Sequence, residues 1–335
     1  MESETNTEQE TKPPSRGIRV LVIVLLVQLL FAGVLIYFAL AGWPWVPNAP
    51  AEVARPAVSE RFLKGQANDG VQTPGVNNFD QKRAFSLLRR QVDRYGWRPA
   101  GSASSRRLAK ELAGRLPAGK LEPFKVGKLQ LSNVVGVIPG RLPAVIVAAH
   151  YDVEARPKGF VGANDGAGGT AAVVELSRGL ASKAVAGGRE VRFVLFDGEE
   201  EPPGSGDFYT DGMRGSRAYV ARHPGQVGEL ILLDYVANRG LRLPREGSSD
   251  VGLWAELRAA AQRSGTGASF PDRSGGSIYD DNTPFLERGI AAIDLIDFEY
   301  PWRDTLADNL GKVSPRALDV TGETVYSLVD EMRRR

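Results

Sequence analysis

The chain contains no cysteine and only two histidines, His150 and His223. The first absence excludes disulfides and thiolate metal sites and leaves the redox compartment open. The second leaves His150 almost without help from other imidazoles. An excess of charge of one sign is missing too: 42 Lys and Arg are interspersed with 40 Asp and Glu, for a formal net charge of +2. No basic block with interleaved aromatics occurs, which removes nucleic acid as a partner. There is no internal repeat. What is present is globular material, 335 residues of which 42% are hydrophobic and 24% charged, enough for a sizeable core in one large domain or two small ones.

The N-terminal part departs from that average. Residues 1–19 are polar, and from Val20 to Trp43 no charge occurs; Lys12, Arg16 and Arg19 are the basic residues nearest to that apolar run on its N-terminal side. At 1.5 Å per residue the run crosses a bilayer core of roughly 30 Å. Basic residues flank only its N-terminal side, so the positive-inside rule predicts a cytoplasmic tail (1–19), a transmembrane signal-anchor (20–43) and an extracytoplasmic remainder. The small residues of "ALA" at 39–41 leave secretion after signal-peptide cleavage as the alternative, although the apolar region is longer than the usual 7 to 15 or so. The Pro/Ala/Gly-rich stretch 44–77 is expected to be a linker, and 78–335 one catalytic domain.

Within that domain, 79–96 and 105–116 read as amphipathic helices, the second N-capped by Ser104 or Ser105. Strand-like runs follow at 133–140, 144–150, 191–196, 229–234 and 290–296, separated by helical stretches at 166–182, 214–223, 250–265 and 314–332. Buried strands alternating with helices predict a three-layer α/β/α sandwich around a mixed, mostly parallel sheet, preceded by the one N-terminal transmembrane helix.

In such sheets ligands bind beyond the carboxyl ends of the strands. His150 ends one strand, Glu199 and Glu200 lie just past the next, Asp234 ends a third, and Asp165 sits in the Gly-rich loop "GANDGAGG". Unpaired burial of carboxylates is expensive, so packing gives them no reason to gather there. One imidazole with several acids suits a divalent ion with N and O ligands. Individually each element has a plain reading: His-x-Asp by chance, "GEEE" as a solvated turn, Asp165 as a helix cap. His223, before a proline, reads as a surface or C-capping residue.

The ordered motifs "AAHYD", "FVGANDGAGGTAAVVELSRGL", "VRFVLFDGEE", "GMRGSRAYV", "LILLDYV" and "DDNTPFLERGI" resemble metallopeptidase family twenty-eight, the zinc aminopeptidases that also include the animal glutaminyl cyclases, over roughly residues 80–335. The resemblance implies His150 as a zinc ligand oriented by Asp152. It implies Asp165 as the carboxylate that bridges two ions or holds the only one, and Glu199 as general base beside the ligand Glu200. Asp234 is implied as a ligand or hydrogen-bonding acid, and Asp281 as a further acid of the cyclase network. One or two Zn²⁺ ions are the cofactor that the resemblance implies.

Two positions depart from the family pattern. Asn282 stands where a histidine is usual, and Asp304, beside Arg303, stands where the last zinc-binding histidine is expected. With Asp304 as ligand, three carboxylates (Asp165, Glu200, Asp304) outweigh the ion's charge and shift preference toward harder ions such as Mn²⁺. The position formed by His150, Asp165 and Asp234 is intact. The expected function is a membrane-anchored, metal-dependent aminopeptidase-type hydrolase acting on peptide or protein N-termini. The alternatives are a glutaminyl-peptide cyclotransferase forming N-terminal pyroglutamate, or a non-catalytic binding module in which Arg303 takes the place of the cation.

Overall fold

A computed structural model of the chain describes residues 16–41, 58–183 and 185–335. Met1–Ala51 and Glu52–Arg335 are separate compact units. Of the first unit, helix α1 (Arg16–Ala41) is described, with exposed apolar side chains such as Ile23, Leu29, Leu30 and Phe31. Among the described residues no helix is long and apolar enough to cross a membrane. Residues 1–15 of the expected tail, 42–43 of the expected anchor and 44–57 of the expected linker lie outside the described residues.

The first helix described in the second unit lies where the sequence suggested linker, α2 (Glu60–Asn68). The order then runs α3 (Gln81–Arg90), a π turn (Gln91–Tyr95), α4 (Ala103–Ala113), β1 (Lys120–Val126), β2 (Leu129–Ile138), β3 (Arg141–His150), α5 (Ala167–Ala181) and β4 (Arg189–Phe196). It continues with α6 (Phe208–Asp211), α7 (Arg214–Arg222), β5 (Val227–Asp234), α8 (Val251–Arg263), α9 (Thr283–Leu286), β6 (Ala291–Ile296) and α10 (Pro315–Met332). The six strands form one sheet in the order β1-β2-β4-β3-β5-β6. β3 pairs in parallel with both β4 and β5, and β5 with β6, while β1–β2 and β2–β4 are antiparallel. The mixed, mostly parallel expectation holds. The strand absent from it is β1, an edge strand whose charges and Pro123 hide it in a hydropathy pattern.

Period-two alternation divides the core. Val145, Val147 and Ala149 of β3 join the cluster under α3, α5, α8 and α10, whereas Ala144, Ile146 and Ala148 face Tyr219, Val220 and Phe285 of α7 and α9. His150 continues the second set, as Asp234 continues Leu230 and Leu232 on β5. Since Ala148 pairs with Leu232, the two functional candidates come side by side. The chain passes from β4 across β3 to β5, so the sheet's switch point lies at the C-terminal end of β3, where the crevice of a doubly wound fold opens.

Helix α4 starts earlier than expected. Ser102, not Ser104 or Ser105, is its N-cap and accepts from Ser105 N. The reason is a tight turn, in which Ser102 N donates to Pro99 O at 2.9 Å and Gly101 takes φ 67°. Ser104 and Ser105 instead donate to Tyr95 O and the Asp197 carboxylate. His223 occupies the C-cap of α7, with Nε2 3.0 Å from Glu122.

Glu111 ties α3, the π turn and α4 together. It accepts from Arg90 at 2.6 Å, Tyr95 at 2.5 Å and Arg115 at 2.7 Å. Burial alone would raise its pKa, but these hydrogen bonds outweigh it and bring it down to about 2 from 4.5. A carboxyl depressed in the folded state contributes stability that is complete above its unfolded pKa and is lost as pH falls through the folded one. The urea midpoint of Glu111→Gln should therefore fall less than that of the wild type between pH 4.5 and about 2. Parallel acid profiles would show that the junction adds nothing.

Candidate metal centre

The three central strands end in the acids and the imidazole. His150, at the end of β3, is buried; its Nε2 lies 3.2 Å from Asp165 Oδ1 and 3.3 Å from Asp234 Oδ1. Its Nδ1 faces Glu199 Oε2 at 3.7 Å and Asp152 Oδ1 at 3.8 Å. Asp152 is thus beyond hydrogen-bond range of the ring, and its Oδ1 accepts from Glu199 N at 3.3 Å, fixing the loop after β4. Arg214 of α7 holds the same loop through Gly198 O and Glu200 O.

Asp165 is delivered by a loop that only glycine permits. Gly166 has φ 76°, and a Cβ there would stand 2.6 Å from Asp152 O and 3.3 Å from His150 Cε1. At Gly169 a Cβ would collide with Leu233 O, so α5 could not lie against β5. These two glycines bring the start of α5 down onto the strand ends.

The electrostatics follow from burial. For His150, burial opposes protonation, yet Glu199, Asp152, Asp165 and Asp234 together hold the ring well above its ordinary pKa. Burial pushes Glu199 well above the usual carboxylate range; His150 opposes this and Asp280, Asp281 and Asp234 reinforce it. Burial, then Asp165, Glu199 and Glu154, do the same to Glu200. Asp281 rises to about 7, again through burial first, although Ser216 donates to it at 2.5 Å.

Two sets of side chains have their ligand atoms all within 4.8 Å of one another: His150–Asp165–Asp234 and His150–Glu199–Glu200. His150 Nδ1 and Glu200 Oε1 are buried without a hydrogen-bond partner. An imidazole with clustered carboxylates and unsatisfied donor atoms fits a borderline or hard divalent ion. Asp304 belongs to neither set. It is joined to the cluster through Tyr235, whose hydroxyl lies 2.9 Å from Asp165 Oδ2 and 3.2 Å from Asp304 Oδ1. Arg303 donates to Phe298 O at 2.6 Å, covers the Phe298 ring, and has Nε 3.7 Å from Asp304. Asn282, at the start of α9, donates to Ser248 at 3.5 Å.

Several residues of the site carry no mark in the sequence. Arg98 is wholly buried and donates to four carbonyls, those of Tyr151, Gly96, Val161 and Gly162. Burial lowers its pKa to about 10, against the pull of Asp165, Asp152, Asp308 and Glu200. Asp308 accepts from Asn164 N, Asp165 N and the Tyr300 hydroxyl. Neither oxygen of the buried Asp294 meets a donor, and burial first, then Asp280 and Glu246, push its pKa well above the usual carboxylate range. An arginine before a proline, or a lone Asp inside the β6 run, carries no periodic signal. Tyr235 had one cue, its place directly after Asp234.

The family profile described as Peptidase family M28 matches residues 133–329. Aminopeptidase YwaD of Bacillus subtilis (strain 168) is 30% identical over 200 residues, 56% of this chain but only 40% of that protein. The glutaminyl-peptide cyclotransferase-like protein of Mus musculus is 27% identical over an alignment of 353 positions, 91% of this chain and 90% of its own. Among solved structures, the Acidobacteriales bacterium glutaminyl cyclase superposes with a TM-score of 0.69 at 25% identity, covering 79% of this chain and 99% of that one. With the profile spanning most of the sheet and every strand end that carries His150, Glu199, Glu200 and Asp234, the chain belongs to Peptidase family M28.

Proposed function

We propose that the chain is a divalent-metal exopeptidase that hydrolyses the N-terminal residue from peptides, with His150, Asp165 and Asp234 holding the ion, Zn²⁺ or the harder Mn²⁺. The observation that carries this reading is the convergence of His150 Nε2, Asp165 Oδ1 and Asp234 Oδ1 at 3.2 and 3.3 Å at the sheet's switch point. A bound divalent ion supplies Lewis acidity, which makes water easier to deprotonate and a carbonyl easier to attack. Glu199 takes the proton from the attacking water and returns it to the departing amine. Burial raises its pKa well above the usual carboxylate range, which favours its carrying the proton. Asp152 keeps the Glu199 backbone in place, and Asp281, anchored by Ser216, adds to the negative field that keeps Glu199 basic. Glu200 faces the same chamber and, with Asp304 behind Tyr235, would serve a second, weaker cation position.

Cyclisation of N-terminal glutamine is the second reading, favoured by the near full-length match to the mouse cyclotransferase-like protein. It uses the same proton carrier on a different nucleophile. Membrane attachment with the catalytic unit outside belongs to the proposal as well. It is supported by the uncharged run Val20–Trp43 and by the exposed apolar side chains of α1. Secretion after cleavage of that segment is its alternative.

Dialysis against Zn²⁺, Mn²⁺ or Co²⁺ should raise the melting temperature of the full chain. At a hundredfold excess over Kd the gain is about 2.7 kcal/mol, roughly 4–5 °C for a unit of this size. The gain should shrink as pH is lowered, because protons on His150 and the acids compete with the ion. His150→Ala should lose both the shift and the bound metal; equal metal content in the two proteins refutes the site.

Aminoacyl-coumarins and glutaminyl peptides, followed by mass spectrometry, separate the two reactions. Release of the amino acid marks hydrolysis, and loss of ammonia marks cyclisation. Glu199→Gln should lower turnover by about 10²–10⁴ with metal content kept. Unchanged turnover would remove Glu199 from the chemistry.

A further inference from the structure

We infer that α2, the helix lying within the expected linker, is part of the scaffold of the metal centre, and that Arg61 and Phe62 are positioning residues for Asp165. The inference rests on the reading of His150, Asp165 and Asp234 as the ion-binding group.

Two continuous routes run from this helix to Asp165. The first is aromatic. Phe62 is 1% exposed and meets Tyr300 and Trp302 edge-on, with ring centroids at 6.3 and 5.7 Å; Tyr300 in turn packs on Tyr235 at 5.9 Å. Both tyrosines end on the site. Tyr235 donates to Asp165 Oδ2 at 2.9 Å. Tyr300 donates at 2.7 Å to Asp308, whose carboxylate accepts from Asn164 N and Asp165 N at 3.0–3.1 Å. The second route is polar. Arg61 grips Asp297 with two nitrogens at 2.6 and 3.0 Å and also donates to Gly240 O at 2.7 Å. Asp297 accepts from Asn238 at 2.8 Å, and Asn238 accepts from the Asn164 amide at 3.2 Å. Asn164 also caps Ala237 N at 2.8 Å, so the residue next to Asp165 is held from both sides.

The seat of α2 is specific. A Cβ at Gly65 would collide with Gly240 N at 2.7 Å, so the helix lies directly on that backbone. At the other end Asp69 O accepts from Gly240 N at 2.8 Å, and its carboxylate pairs with Arg239. A bidentate guanidinium–carboxylate grip and buried edge-on rings are directional contacts that define an orientation, not just a covered surface. Partners one shell removed from a ligand set its angle and its affinity for the ion. Residues outside the catalytic motifs, in a segment whose composition reads as spacer, thereby determine where Asp165 points.

The test uses the full chain with Phe62→Ala, Arg61→Met and the conservative Phe62→Leu. Hydrogen–deuterium exchange is followed by mass spectrometry, and Mn²⁺ affinity by calorimetry. Phe62→Ala and Arg61→Met should speed exchange in residues 162–166, 235–240 and 297–308 by about tenfold, with β1 and α7 unchanged. Mn²⁺ binding should weaken by about tenfold, and Phe62→Leu should recover most of both. Unchanged exchange at 162–166 and 304–308, or an even rise across the whole chain, overturns the inference. Should Phe62→Ala fail to fold, Arg61→Met and Phe62→Leu carry the same comparison. A wild type that binds no Mn²⁺ would refute the metal reading, while the exchange pattern would still decide the role of α2.

Discussion

Taking a carboxylate out of water costs several kcal/mol unless a proton, a cation or enough hydrogen-bond donors replace the lost solvation. This chain buries Asp152, Asp165, Glu199, Glu200 and Asp234 around one imidazole. Backbone N–H groups answer part of that demand, at Asp152 from Glu199 and at Asp234 from Tyr235. Arg98 answers another part as a fixed positive charge, with four of its five N–H donors spent on carbonyls. What remains is carried by atoms with no protein partner, His150 Nδ1, Asp152 Oδ2 and Glu200 Oε1. A divalent ion, shared protons or buried water can satisfy them. The rest of the site is arranged around that need.

The fold meets it by geometry that short-range sequence rules enforce. Parallel pairing of β3 with β5 and a period of two bring His150 and Asp234 to one face without any loop to search for the arrangement. Asp165 comes from elsewhere, on a loop that has to bend sharply and lie almost in contact with the strand ends. Gly166 and Gly169 make that approach possible, and the start of α5 fixes it. The aromatic platform of Tyr235 and Tyr300 then limits Asp165 from the opposite side.

This division of labour explains what the sequence disclosed. Strands β2 to β6 stand out as apolar runs, and the candidates His150, Glu199, Glu200 and Asp234 stand out because they terminate such runs. Strand β1 does not, because an edge strand with one buried face, three lysines or acids and a proline resembles a loop. Helix α2 was hidden for a related reason. In "ERFLKGQAN" only Phe62 and Gly65 are buried, so its attachment rests on one aromatic ring, a close backbone approach at Gly65 and the polar contacts of Arg61 in place of an apolar stripe. Arg98 and Asp308 are buried polar residues most of whose partners lie far along the chain, and no local period announces such a contact.

Tyr235 bears on how many ions the centre favours. A phenol has one proton, yet its oxygen lies 2.9 Å from Asp165 Oδ2 and 3.2 Å from Asp304 Oδ1. Only one carboxylate can receive it at a time, and the shorter contact is to Asp165. That bond occupies the Asp165 oxygen on the Asp304 side and leaves Oδ1, 3.2 Å from His150, directed toward Asp234. A carboxylate so capped serves one position better than it bridges two. Asp304 acts in the same direction, since a fourth acid near Asp165, Glu154 and Glu200 adds repulsion without adding a neutral donor. Burial and then Asp165 already push Glu154 up to about 7, with Asp304 contributing further. Under the proposed reading, the His150–Asp165–Asp234 group is where an ion would be held, with its three ligand atoms within 4.8 Å of one another.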